Sequence, residues 1–554
     1  MKLKIGLIAL FLTLAFSLSF SSCDLWDDFV DWWNEDSSNN DNNENNGGNG
    51  GTKNRTYADS VKKAEFTGDT VTITFENLDG NDIFLVKINN SENNVAAADT
   101  GGTLLNFPPN QSTMNTGARN LIGTEYFPEE DFFGHPDIEK LMANPPPRLP
   151  TVMSESQAAF VPPTVGTQRQ FWIAEGFDFV DVNFLQIPAT LLATGKHGNI
   201  WVNDNSITTP QAELLSARFD IIYPATTNLL GYEYGGGPGG DGGIDGDPKI
   251  QILVYHLLNK DGSESSILGY FNSVDYYRQT QIDQWAGHPN GTAWIGYKSN
   301  EAEIFYINSR IIASSPDRIA TTLIHELQHM IHHNVKRVQH GLTTTSWYNE
   351  MLSIMAQETI SHLINVTDTN SGHQIRARTP AFLARYDEFS FTQWEPNGGY
   401  AAQFIHGAYL FRNFGGAELL KNIMANNFVG TKSISEALNE KNPGMNYEKA
   451  LSRFGEAMVF SGNSKPEGVL TLDKTVTSQV TGFTYIGYGF DLWNMNRSGA
   501  NIRGPVVFDL TPMNMLGHSV LLQSSSEWKN RSGKFSVTLT KPNNPGIELY
   551  LMVR

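Results

Sequence analysis

One segment in the middle of the chain has the pattern of a helix that carries two histidines one turn apart. Residues 314–334 read SSPDRIATTLIHELQHMIHHN. Ser315 suits the cap of a helix, Pro316 suits its first position, and the acidic residue after it complements the helix dipole. His325 and His329 then lie on one face, so both imidazoles can reach one metal ion. The pattern predicts a helix that binds a metal ion through two histidines on one face.

The residue after the first histidine is a candidate general base for water at that metal. Glu326 is placed where a carboxylate can take a proton from water at the metal. Neutral imidazoles suit Zn²⁺, which acidifies water, and a catalytic zinc usually has three protein ligands. A helix with solvent-exposed histidines is the simpler alternative, and it suits His332 and His333. We predict His325 and His329 as zinc ligands and Glu326 as the general base.

The third ligand must come from outside this helix. A metzincin would have Gly at position 332 and His or Asp at 335, but the chain has His332 and Val335. A second helical pattern, SWYNEMLSIMAQE, begins at Ser346. Here the chain resembles the gluzincin metallopeptidases, and the words HELQHMI and WYNEMLS look most like the hyicolysin family of secreted bacterial metallopeptidases. The resemblance implies that Glu350 is the third zinc ligand and that Asn349 is its neighbour in the motif.

The same resemblance implies a fold and an activity for the central region, residues 168–465. The fold of this region would be a thermolysin-like (gluzincin) metallopeptidase domain. The flanking N- and C-terminal regions lie outside the resemblance, and their own alternating polar and apolar residues predict β-rich, sandwich-like regions, so the expected fold class is α+β. The activity would be that of a zinc metallopeptidase, an endopeptidase that acts on protein or peptide substrates. Two alternatives stay open. One is a non-catalytic surface or adhesin-type lipoprotein, and the other is a zinc hydrolase of non-peptide amides that uses the same residues.

Two parts of the expected zinc site are left open by the sequence. Glu358 lies eight residues after Glu350, on the same helical face, and is a rival third ligand. In thermolysin an Asp shortly after the ligand Glu orients a zinc-bound His, but that place is Ile354 here. The carboxylate that supports His325 is therefore unassigned, and Glu358 is one candidate.

A third helical pattern, residues 398–416, offers a hydrogen-bond donor for the oxyanion of a peptidase intermediate. Similar family segments have a Tyr before a Gly-Ala pair, and this chain has His406 in that place. We take His406 as the candidate donor, with Tyr400 and Tyr409 as alternatives. A histidine that simply packs in a helix interface is the competing interpretation of His406.

Two features upstream of the first helix also bear on the site. Asp241, Asp245 and Asp247 lie in the glycine-rich loop GGGPGGDGGIDGDPK, where clustered carboxylates suit Ca²⁺. Their spacing does not match an EF-hand, and an Asp-Gly turn explains the same residues. Residues 297–308 predict the strand before the helix, and by analogy with thermolysin-like folds this would be the edge strand that pairs with substrate.

The first 22 residues have the pattern of an export signal. Lys2 and Lys4 precede an apolar run that extends from Ile5 to Phe20, and Cys23 follows the segment directly. Cys23 is the only cysteine, so an intramolecular disulfide is excluded. Its position resembles the lipid-modified cysteine of a bacterial lipoprotein signal. We expect an exported protein, lipid-anchored at Cys23 to a membrane of the cell envelope, periplasmic or surface-exposed; a plain secretory signal is the alternative.

Composition limits the remaining possibilities. The chain has 554 residues, 40% hydrophobic and 18% charged, which is typical of folded domains and not of a disordered chain. A net charge of −19 without a basic patch argues against nucleic-acid binding. We predict five regions: a signal peptide (1–22), an acidic Asn/Gly-rich tether (23–56), a β-rich N-terminal domain (57–165), a zinc metallopeptidase domain (166–465) and a β-rich C-terminal domain (466–554).

Overall fold

The fold is taken from a computed structural model. It describes residues 55–103, 145–146, 160–175, 183–394, 398–462 and 465–554. The chain divides into two units, Met1–Lys53 and Asn54–Arg554, and all described residues belong to the second. The predicted signal peptide, Cys23 and most of the predicted tether lie outside the described residues. Within the described ranges, none of the helices combines the length and the apolar character needed to cross a membrane.

The described residues form fifteen β-strands and eleven α-helices. The strands are β1 (Val61–Lys63), β2 (Thr70–Asn81), β3 (Ile83–Asn89), β4 (Gly102–Thr103), β5 (Gln168–Ala174), β6 (Phe184–Thr194), β7 (Gly198–Asn203), β8 (Ile250–Tyr255), β9 (Gly269–Phe271), β10 (Ile304–Asn308), β11 (Val476–Val480), β12 (Phe483–Gly487), β13 (Ser519–Gln523), β14 (Arg531–Thr540) and β15 (Ile547–Val553). The helices are α1 (Tyr57–Ser60), α2 (Thr209–Leu230), α3 (Gln279–Ala286), α4 (Pro316–His332), α5 (Ser346–Ile360), α6 (Gln374–Arg385), α7 (Gly399–Phe414), α8 (Ala417–Ala425), α9 (Gly430–Lys441), α10 (Tyr447–Ser452) and α11 (Phe454–Phe460).

Six strands form a central mixed sheet in the order β5-β6-β7-β8-β10-β9. Strands β7, β8 and β10 run parallel, and the remaining neighbours are antiparallel. The inner strands β8 and β10 are buried along their whole length, as expected for the continuous apolar sequences IQILVY and IFYIN. Helices α2 and α4 pack against this sheet, and α4 contacts both β9 and β10.

The edge of the central sheet differs from the expectation. The strand predicted within residues 297–308 is β10, but it lies one position inside the sheet. The shorter β9 pairs antiparallel with its outer side, with Tyr270 opposite Tyr306. The prediction that the strand directly before the helix forms the edge is therefore wrong, because a preceding three-residue strand adds outside it.

Helix α4 is buried along most of its length and packs against α2 and α5. It begins at Pro316, as the sequence predicts, and an ion pair of 2.9 Å between Arg218 of α2 and Asp317 lies at its first turn. Every residue from Ile319 to His332 is buried. The adjacent His333 is buried as well, so these C-terminal histidines of the helix are not the solvent-exposed residues that the simpler interpretation expected.

Strands from the two flanks of the chain pair with each other. One sheet has the order β1-β15-β3-β13 and a second has the order β2-β14-β4, so both alternate between strands of residues 61–103 and strands of residues 519–553. Side chains of both sheets share one apolar core that includes Phe75, Leu85 and Leu551. The flanks, which the sequence suggests as two separate regions, thus contribute to one β-sandwich.

The four-stranded sheet of this sandwich is covered on both faces. Residues of alternate orientation, such as Val86 and Met552, belong to the large core that also contains the helices. A Cβ at Gly455 of α11 would lie 2.5 Å from Val86, so the glycine lets the helix approach the sheet closely. This explains why β3 is buried at every position.

Candidate metal centre

Helices α4 and α5 bring the three predicted ligands together. The ligand atoms of His325, His329 and Glu350 lie within 4.8 Å of one another, and all three side chains are fully buried. Nε2 of His325 is 3.2 Å from one carboxylate oxygen of Glu350, and Nε2 of His329 is 3.6 Å from the other. In the described part of the chain, this is the one group of three or more such residues with that geometry.

The chemistry of the donor set fits a zinc ion. It offers two imidazole nitrogens and one carboxylate oxygen, the combination typical of a catalytic zinc with room for water. The two imidazole rings are 4.6 Å apart and nearly perpendicular, so they approach the shared space from different directions. Burial and the neighbouring His325 hold the pKa of His329 well below its ordinary value, which keeps this imidazole in the neutral form that binds metals.

Gln357, which the sequence analysis missed, orients His325. Its Oε1 lies 2.9 Å from Nδ1 of His325, and its Nε2 donates to the carbonyl oxygen of Thr321 at 3.3 Å. The second bond fixes which end of the amide accepts, so Nδ1 of His325 carries the proton and Nε2 is left to face Glu350. Gln357 lies two helical turns after Glu350 on the same face of α5. This spacing could have identified Gln357 from the sequence, but only carboxylates were considered as the support of His325.

Glu358 has a different partner. It forms a buried ion pair with Arg412 of α7, and neither side chain is exposed. Nη1 of Arg412 also donates to the second carboxylate oxygen at 3.3 Å. The structure therefore places Glu358 in a link between α5 and α7, neither as a third ligand nor as the support of His325.

Glu326 lies against the edge strand. A Cβ on Gly269 of β9 would lie 3.1 Å from Cγ of Glu326 and 2.8 Å from Cγ2 of Thr322. The missing side chain at Gly269 lets β9 pass directly over the face of α4 that carries Glu326. The predicted general base is thus next to the outermost strand of the sheet.

The structure separates the candidates for the oxyanion donor. His406 packs among the rings of Trp347, Phe391 and Tyr447, at centroid distances of 6.3, 5.0 and 5.5 Å. Burial there lowers the pKa of His406 to about 3, so it has no imidazolium proton to donate at neutral pH. The hydroxyl of Tyr409 donates to the carbonyl oxygen of Ala450 at 2.7 Å.

Tyr400 is the member of this helix that lies beside the metal ligands. Its ring centroid is 6.5 Å from that of His325. The ring is held from other sides by Trp394, perpendicular at 4.8 Å, and by the guanidinium of Arg378 at 4.7 Å. The contacts favour Tyr400 over His406 as the polar group next to the centre.

The three aspartates of the glycine-rich loop do not come together. Oδ1 of each accepts a backbone N–H two residues later, from Gly243, Asp247 and Lys249 respectively. The remaining oxygen of Asp247 accepts from the amides of Asn199 and Gln251. These are bonds of turns and of a buried sheet network, so calcium at Asp241, Asp245 and Asp247 receives no support.

Comparison with known proteins adds one relative to this geometry. No protein-family model matches the chain. The chain is 24% identical over 297 residues to the neutral metalloprotease ShpI of Staphylococcus hyicus. The similarity is to a metalloprotease. It covers 49% of this chain and 58% of ShpI, so the match spans little more than half the length of that relative. A metallopeptidase relative and a buried His-His-Glu group agree in implying a metal.

Replacement of Gln357 by leucine is expected to weaken metal binding. The leucine variant lacks Oε1 of Gln357, which accepts from Nδ1 of His325. Without this bond the ring of His325 is no longer held in one orientation and one tautomer, a loss that typically costs about 10- to 100-fold in metal affinity. Competition with a zinc indicator dye measures this. Gln357→Glu keeps an acceptor at the same place and should lose less, whereas equal affinity for the leucine variant and the wild type would contradict the role.

Proposed function

We propose that the protein is a zinc-dependent metallopeptidase of the gluzincin type, an endopeptidase of protein or peptide substrates. The observation that carries the proposal is the buried group of His325, His329 and Glu350, with Glu326 following His325 in α4 and packed against the outermost strand β9. The similarity to a neutral metalloprotease supports the same class.

In this proposal each residue of the site has one role in the reaction. His325, His329 and Glu350 hold the metal, and a zinc ion held there supplies Lewis acidity towards water and the peptide carbonyl. Glu326 takes the proton of the attacking water and returns it to the leaving amine. Tyr400 donates a hydrogen bond to the carbonyl oxygen as negative charge develops. The outer edge of β9 pairs with the substrate backbone, because it ends the sheet next to Glu326.

Metal analysis of the purified protein together with cleavage of a denatured protein substrate tests this function. We expect about one zinc per chain, and cleavage that stops with 1,10-phenanthroline and returns with added zinc. Zinc without cleavage of any peptide would favour a hydrolase of non-peptide amides. A protein that binds no zinc would favour the non-catalytic surface lipoprotein.

Tyr400→Phe is expected to lower kcat by about 100-fold while KM and zinc content change little, since the lost hydroxyl acts on the developing oxyanion. Steady-state kinetics on a fluorogenic peptide measure the two constants. His406→Phe is the matched control in the same helix, because His406 already packs among aromatic rings. A larger loss of kcat in the His406 variant would return the donor role to His406.

We also propose that the protein is exported and lipid-anchored through Cys23 in the bacterial cell envelope. The support is the sequence of residues 1–23, with its charged start, apolar run and following cysteine. Cys23→Ser is expected to move the protein from the membrane fraction to the soluble fraction, measured by immunoblotting after ultracentrifugation. An unchanged membrane fraction would contradict the anchor.

A further inference from the structure

Two glutamates outside the metal centre lie buried beneath the glycine-rich loop. Glu233 follows α2 and Glu303 precedes β10, and each is 3% exposed. A Cβ at Gly236 would lie 2.3 Å from Oε1 of Glu233, and a Cβ at Gly243 would lie 2.2 Å from Oε1 of Glu303. The loop therefore closes over both carboxylates, and it does so at positions where only glycine fits.

The hydrogen bonds of these carboxylates are incomplete. Oε1 of Glu233 accepts from the hydroxyl of Tyr223 at 2.7 Å, whereas Oε2 is buried and accepts no hydrogen bond from any residue that the structure describes. Both oxygens of Glu303 share one donor, the N–H of Ile244, at 3.0 and 3.2 Å. A buried carboxylate with so few donors is costly unless a positive charge or a proton compensates it.

The charges around the two glutamates do not provide that compensation. Burial raises the pKa of both groups, and the neighbouring Asp245 and Glu233 raise that of Glu303 further. The ammonium of Lys249, the lysine nearest in the loop, donates instead to Thr194 at 2.9 Å. Among the described residues, neither glutamate takes part in a salt bridge.

A small cavity lies between these groups. Its volume is about 10 Å³, and its lining includes Glu233, Glu303, Asp247, Lys249 and the glycines Gly235, Gly236 and Gly242. A space of that size holds one water-sized particle. Carboxylate oxygens together with main-chain carbonyls are the ligands that Ca²⁺ prefers, and Ca²⁺ tolerates irregular geometry better than Mg²⁺ does.

We propose that Glu233 and Glu303 together bind one calcium ion, with main-chain carbonyl oxygens of the glycine-rich loop as further ligands. This site differs from the three aspartates considered from the sequence, because the aspartates bond within turns and the two glutamates reach the loop from α2 and β10. It is independent of the proposed peptidase function. Calcium there connects the end of α2, the loop and the first residue before β10.

Thermal unfolding tests the site on the whole protein, after dialysis against EGTA and restoration of one equivalent of zinc. Calcium chloride at about a hundred times the Kd of the site is expected to raise Tm by about 2 to 3 °C. Glu233→Gln and Glu303→Gln should lose this shift. Asp241→Asn changes an exposed carboxylate of the same loop and should keep it.

Terbium luminescence keeps the test independent of how the variants fold. Tb³⁺ bound beside Tyr223 should be sensitised by tyrosine excitation in the wild type, and calcium should displace it. The proposal is overturned if calcium leaves Tm and terbium emission unchanged, or if both glutamine variants shift as the wild type does. A peptidase-inactive variant at Glu326 should keep the full calcium shift, so failure of the calcium site and failure of the peptidase are separable.

Discussion

Glu326→Gln should retain the metal and lose nearly all peptide cleavage. Glutamine has the same shape but cannot accept a proton from water, and loss of a general base typically costs about 100- to 10,000-fold in rate. Glu326 follows the ligand His325 in α4, its side chain packs against Gly269 of β9, and it does not belong to the ligand group, so zinc affinity should stay the same. The measurement is kcat/KM on a fluorogenic peptide, together with zinc content by atomic emission.

The control measurements for this variant report whether the metal centre is intact. Zinc content and Tm of Glu326→Gln should equal those of the wild type, which would show that the ligand residues are undisturbed. Wild-type activity in a zinc-loaded Glu326→Gln protein would sink the assigned role. Loss of zinc in that variant would place Glu326 among the ligands instead.

Two glutamates eight residues apart on α5 should respond to the same substitution in opposite ways. Glu350→Gln is expected to weaken zinc binding by at least about 100-fold, since a neutral amide replaces the only charged ligand. The partners of Glu350 are the imidazoles of His325 and His329, which carry a charge only when they are protonated. Replacing the carboxylate therefore leaves no permanent positive charge buried without a partner, so the metal-free variant should fold with nearly unchanged stability.

Glu358→Gln is the matched comparison. It leaves the guanidinium of Arg412 buried without a counter-charge, which typically costs about 3 to 5 kcal/mol of unfolding free energy. Zinc affinity measured below the unfolding transition should stay within a few-fold of the wild type. Urea unfolding and zinc competition on both variants decide the matter. Zinc loss in Glu358→Gln with zinc retention in Glu350→Gln would exchange the two assignments.

The helices that carry the centre follow from the sequence because their signals are local. A cap, a first-turn proline and histidines four residues apart place the ligands of α4 on one face, and the structure begins that helix at Pro316. The third ligand depended on a family resemblance, since no local spacing connects His329 to Glu350. The contact between them is made by the packing of α4 on α5, which a single sequence does not display.

The residues that sequence reasoning missed depend on long-range partners. Gln357 supports His325 because a carbonyl of α4 fixes its amide, a role for which chemistry alone would have suggested a carboxylate. The partner of Glu358 is Arg412, 54 residues later. His406 had the favourable motif position, but the aromatic rings that enclose it come from three separate segments.

The interleaved sandwich has a consequence for the order in which this protein folds. Val61 of β1 pairs with Met552, and Ile83 of β3 pairs with Val553, so these partners are almost the whole chain apart. Strands β1 and β3 must therefore wait, unpaired, until the region between has been synthesised. Once formed, the sandwich fixes both ends of the region between β4 and β13. If that region unfolds while the sandwich stays intact, it is a loop with fixed ends, and its unfolded state has less conformational entropy than a free chain.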